Sequence, residues 1–259
     1  MFSGCTRLNT IPSNLLPATT LAKNCYESIF EGCTGLTTIP SNLLPATTLA
    51  IGCYIDMFNG CTELSRIPDN LLPATTLAKN CYESMFSDCT SLTETPFNLL
   101  PVTTLADGCY SNMFNGCTRL NRIPDNLLPA TTLASNCYYG MFSGCTELTT
   151  IPELPATTLA SNCYYGMFSG CTGLTETPYG WYLPAQTTDE YSCYNMFINC
   201  FRLQKMAVSY SGTITSSDWD CFLLNVSPAG TFYYSKNQTK ENIQSIVPSG
   251  WTLVQSTEW

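Results

Sequence analysis

Apolar and polar positions sort along this chain into a block that keeps recurring. From Leu21 to Cys33, residues placed at 100° steps divide cleanly. Leu21, Ala22, Cys25, Tyr26, Ile29, Phe30 and Cys33 fall in one half-circle, and Lys23, Asn24, Glu27, Ser28 and Glu31 in the other. The spacing predicts an amphipathic helix. Thr19 or Thr20 would cap it after Pro17, and Gly32 would weaken its end. The next segment, Cys33 to Pro40, is short, β-branched and stopped by proline. It predicts a short strand with Leu36 and Ile39 inward, although their spacing of three departs from strict alternation.

The block has a measurable period. One cysteine series runs Cys5, Cys33, Cys61, Cys89, Cys117, Cys145, Cys171 and Cys200; a second runs Cys25, Cys53, Cys81, Cys109, Cys137, Cys163 and Cys193. Most steps are 28 residues, and Cys221 stands outside both series. Copies of MFxGCTxLTxIPxNLLPATTLAxNCYxS begin at Met1, Ile29, Met57, Met85, Met113, Met141, Met167 and Met196. The copy at Met141 drops two residues before its Ala-Thr-Thr. Such a period is the mark of stacked repeats, because a single unit cannot bury its own apolar face. The expected architecture is an α/β solenoid over residues 1–203: about seven strand–helix turns with a parallel sheet, leucine-rich-repeat-like. An irregular, β-rich C-terminal cap is expected over 204–259. Thr213 to Trp219 and Thr231 to Tyr234 look β-like or loop-like, and Pro248-Ser249-Gly250-Trp251 reads as a turn into a last strand. Trp219, Trp251 and Trp259 also allow an aromatic sugar-binding tip in place of a plain cap.

The Leu-x-x-Ile step and the Met57-Phe58-Asn59-Gly60-Cys61-Thr62-Glu63-Leu64 core resemble leucine-rich repeats, and more narrowly the BspA-like class of bacterial surface proteins. Similar repeats occur in phage-encoded surface proteins. The resemblance covers about residues 1–203 and implies extracellular attachment, on a cell or virion surface, to a protein or glycan receptor. This chain departs from the class in its longer unit and its second cysteine per turn. Met1 is in register with Met57 and Met85. The expectation is therefore that the N-terminal end continues into, or stacks on, another domain.

Composition narrows the function. The chain has 259 residues, with Lys+Arg 10, Asp+Glu 19 and a net charge of -9. An acidic chain repels phosphate backbones, so nucleic acid is not the expected partner. No apolar run is long enough to cross a bilayer, so membrane insertion is not expected either. There is no histidine, the commonest general base and metal ligand. Phosphate loops, serine elbows and zinc-protease helices are absent, and no CxxC occurs. No enzyme, metal or cofactor is expected. Asp69-Asn70 and Asp125-Asn126 follow Ile-Pro without calcium-loop spacing and read as turns. Asn225 and Asn237 match the glycosylation acceptor pattern.

The cysteines read as two buried ladders of free thiols, with cysteine acting as a small apolar residue. Bridges between adjacent turns are the rival reading, since Cα spacing near 5 Å would permit them.

Candidate binding residues lie where the copies differ. After Cys-Thr, one column reads Arg7, Gly35, Glu63, Ser91, Arg119, Glu147 and Gly173. Three residues on, a second reads Thr10, Thr38, Arg66, Glu94, Arg122, Thr150 and Glu176. Tyr138-Tyr139 and Tyr164-Tyr165 are expected to add exposed aromatic area late in the array. Arginine and tyrosine are favoured at binding hot spots, and repeat arrays present extended faces. The first function expected is non-enzymatic recognition or adhesion through this face. The alternative is a structural spacer or fibre component, such as a phage tail part, that assembles end to end.

Overall fold

A computed structural model describes residues 1–179, 181–183, 191–210 and 221–258. Thr213 to Trp219, expected as β-like or loop-like, lies outside the described residues, as does Trp259.

The amphipathic segments are not helical; the inner units bury the expected side chains, whereas in the first Ala22 and Cys25 are exposed and Leu21 and Tyr26 only partly buried. Each segment is a run of overlapping β-turns with a four-residue period. In the run that starts at Gly52, the amides of Cys53, Ile55, Met57, Asn59 and Cys61 bond three residues back, to Ala50, Gly52, Tyr54, Asp56 and Phe58. The intervening amides leave the unit. Gly52, Tyr54, Asp56, Phe58 and Gly60 donate to the carbonyls of Lys79, Cys81, Glu83, Met85 and Ser87, at 2.8–3.1 Å. Half of the backbone donors thus close turns and half tie one unit to the next. No donor remains for an i→i+4 ladder.

Every fourth residue of a run has positive φ: Asn24, Ser28 and Gly32, then Asp56 and Gly60, then Asn80, Ser84 and Asp88. Gly, Asn and Asp tolerate this left-handed region best. Several corner Asn side chains lie over a glycine corner of the next unit, as Asn24 over Gly52, Asn80 over Gly108 and Asn112 over Gly140. At Gly116 (φ +72) an added Cβ would meet the Asp88 carboxylate. Gly116→Ala should therefore cost about 1–2 kcal/mol from its backbone conformation alone. Adding Asp88→Gly should remove the contact and leave only that backbone cost. Urea midpoints of the two variants check this; a neutral Gly116→Ala would contradict the turn geometry.

The expected Cys33–Pro40 strand contracts to single parallel bridges. Glu94 pairs with Arg122 and Glu176 with Lys205 on this side of the unit. Thr48 pairs with Thr76 and Thr132 with Thr158 on the Ala-Thr-Thr side. The threonines expected as helix caps are thus the residues that join neighbouring units. Proline at both ends leaves too few amides for a longer ladder.

Inside, identical side chains form rows. Phe2, Phe30, Phe58, Phe86, Phe114, Phe142, Phe168 and Phe197 stack ring on ring at 5.5–5.9 Å. Tyr26, Tyr54, Tyr82, Tyr110, Tyr138 and Tyr164 do so at 5.7–6.0 Å. Leu36, Leu64 and Leu92 are fully buried beside them. The shortened unit that begins at Met141 keeps the spacing, with Phe142 and Phe168 5.7 Å apart. The two missing residues come out of the stretch between Ile-Pro and Ala-Thr-Thr, where the preceding unit buries Leu127 and Leu128 and this one has Leu154 as its single buried leucine. The result is a repetitive array of cysteines and aromatics every 28 residues, compatible with a repeat solenoid.

Among the described residues, continuous strands appear only toward the C-terminus. β1 (Trp181–Leu183), β2 (Lys205–Tyr210), β3 (Gly230–Tyr234) and β4 (Trp251–Gln255) form a small parallel sheet in that order. A short helix, α1 (Lys240–Gln244), precedes β4. The turn pattern persists beyond residue 203. Phe197 and Asn199 donate to the carbonyls of Phe222 and Leu224, and Cys221 and Asn225 take the positive-φ corners. Cys221 therefore occupies a corner of the unit, outside both cysteine rows.

Candidate functional site

The first cysteine row does more than fill space. Cys61, Cys89, Cys117, Cys145, Cys171 and Cys200 each donate their thiol to a phenylalanine carbonyl of the preceding unit, at 3.1–3.3 Å. The same carbonyl accepts an amide from its own unit, as Phe58 does from Cys61. None of the sixteen cysteines is in a disulfide; Cys5 and Cys25 are exposed and Cys221 partly so. Burial pushes the thiol of Cys53 up to about 11 and those of Cys61, Cys109 and Cys200 up to about 12. A thiol held protonated is a poor nucleophile. Among the described residues, no group of three Cys, Asp or Glu converges as a metal site.

The variable columns lie on the surface. Arg7, Glu63, Arg66, Arg119, Arg122, Glu147 and Glu176 are exposed, and Glu94 is partly buried. Unit stacking aligns three of them: Glu94 sits between Arg66 at 3.9 Å and Arg122 at 3.6 Å. Lys205 reaches Glu176 at 3.1 Å, extending the column beyond the expected set. Both arginine side chains remain about four-fifths exposed. Ion pairs as exposed as these contribute only about 0–1 kcal/mol to folding. The row is therefore open to outside groups.

The tyrosine pairs divide. Tyr138 and Tyr164 are fully buried in the inner row, so the expectation that they add surface aromatic area is corrected. In a turn run residues face inward in adjacent pairs, as Cys137 with Tyr138 and Met141 with Phe142 do, so of the two tyrosine pairs only Tyr139 and Tyr165 reach outward. These two stack at 4.8 Å, and Tyr165 continues onto Tyr194 at 5.2 Å.

One feature is not visible in the columns. A cleft of about 360 Å³ opens on the turn-run face beside Tyr139. Lys79, Asn80, Glu83, Asp107, Gly108, Ser111, Asn112 and Asn136 complete its lining. Burial, and then the carboxylates of Asp56 and Glu27, raise the Glu83 carboxyl above its ordinary value. Reading the column Glu27, Ile55, Glu83, Ser111, Tyr139, Tyr165 by register would have exposed the change from small to aromatic at this point. Phe97, two-thirds exposed where other units carry Asp69 or Asp125, was also missed. Comparison with family models, with curated proteins and with solved structures finds no match for this chain.

Proposed function

We propose that this chain is a leucine-rich-repeat-like solenoid of the BspA-like kind that acts as a non-enzymatic recognition module. It works on a cell or virion surface and binds a protein or glycan receptor. The observation that carries this reading is the division of labour within each unit. Phe, Tyr, Met, Cys and Leu positions repeat and are buried, whereas charge varies on one exposed edge, where Arg66, Glu94 and Arg122 align. A frame that repeats inside and varies outside separates stability from specificity. Its extended face offers many weak contacts at once.

Arrays of matrix proteins and glycans, probed with the intact chain, test the reading. Arg66→Ala combined with Arg122→Ala should weaken the strongest array contact at least tenfold and leave the unfolding midpoint unchanged, since both side chains are largely solvated. A chain that binds nothing on either array, or binds equally well without the two arginines, overturns it.

A further inference from the structure

We infer that the cleft beside Tyr139 is a second binding site, for one neutral sugar residue, separate from the Arg–Glu edge. The outer tyrosine row ends at Tyr139. Tyr165 covers one face of its ring, and on the other side the column continues with Ser111, whose neighbour Asn112 donates its amide to the Tyr139 carbonyl. Gly108 stands where neighbouring units carry Asn80 and Asn136. Asn80 lies over the Gly108 corner, and Ser111 stands where the next units carry tyrosine, so the cleft keeps an aromatic wall and a volume within the roughly 300–1,000 Å³ of small-ligand pockets. The polar lining is varied: amides from Asn80, Asn112 and Asn136, carboxylates from Glu83 and Asp107, and an ammonium from Lys79.

This chemistry matches a pyranose. One face of such a ring is a patch of C–H groups, suited to the negative face of an aromatic ring. Its hydroxyls both donate and accept, which a set of amides and carboxylates satisfies in either sense. Two carboxylates against one ammonium disfavour anionic sugars. The ammonium and the three amides disfavour a purely cationic guest, which would want unopposed acids.

Saturation-transfer NMR of the intact chain with lactose, maltotriose, cellotriose, chitotriose and sialyllactose tests the site. At least one neutral sugar should give transfer, and sialyllactose should give none beyond its lactose part. Tyr139→Ala should weaken the signal at least fivefold. Ser111→Tyr, which extends the aromatic row into the cleft, should abolish it with the melting temperature kept. Arg66→Ala with Arg122→Ala should leave it intact, so failure here is distinct from failure of the charged edge. No transfer from any neutral sugar, or transfer that survives Ser111→Tyr, overturns the inference.

Discussion

Raised above pH 9 in reducing buffer, the protein is expected to unfold within about two pH units. An unfolded thiol releases its proton near pH 8.5–9. The buried thiols of Cys53, Cys61, Cys109 and Cys200 hold theirs to about 11 or 12, because burial penalises the thiolate. Above pH 9 the unfolded chain therefore binds fewer protons than the native one, and stability falls as pH rises. Each thiol withdraws about 1.4 kcal/mol per pH unit between its two values. Four fully buried thiols together withdraw about 5–6 kcal/mol per unit, against a typical total of roughly 5–15 kcal/mol. Cys89, Cys137, Cys145 and Cys171 shift in the same direction. Circular dichroism and thiolate absorbance should change together, in one steep step. Cys61→Ala with Cys109→Ala should move that step to higher pH. Thiolate absorbance that rises gradually from pH 9 while the fold persists would mean the rows are open to solvent.

Phe86→Ala should destabilise the chain by about 3–5 kcal/mol, the range for deleting a buried aromatic side chain. Its ring has no exposure and stacks on both sides, 5.6 Å from Phe58 and 5.9 Å from Phe114. The same change at Phe2, which is partly exposed and stacks only on Phe30, should cost less than half as much. In a linear array each unit leans only on its neighbours, so a gap in the middle also weakens the coupling between its two sides. Urea unfolding of Phe86→Ala should accordingly broaden or split, while Phe2→Ala keeps one transition. Equal costs at the two positions would contradict a linear stack.

The inward set was legible in the sequence, but the conformation of the runs was not. Cys53, Tyr54, Met57, Phe58 and Cys61 are all buried, as the amphipathic split predicts. A helix and a run of β-turns give nearly the same split over so short a stretch. A four-residue step overshoots a helical turn by about 40°, so two steps drift by about 80°, well inside a half-circle. The deciding signal was Asn24, Ser28 and Gly32 at every fourth place, a pattern that a helix does not require. Past residue 203 the period was hidden because Phe222, Leu223 and Asn225 hold the turn run without its cysteine and tyrosine. Among site residues, the Arg66–Glu94–Arg122 row follows from register alone. The cleft does not, because it arises from missing bulk at Ser111 beside Tyr139 rather than from any chemically marked residue.

The shortened unit has a practical consequence. Its two-residue loss leaves the phenylalanine spacing at 5.7 Å, so the stretch between the Ile-Pro and the Ala-Thr-Thr behaves as an adjustable seam. Length changes there at the expense of one buried leucine, since Leu154 stands alone where Leu127 and Leu128 are both buried in the unit before, while the aromatic rows keep their register. A foreign peptide grafted into the seam would therefore have to keep a buried leucine, and the repeat offers several equivalent insertion points at regular intervals along one molecule.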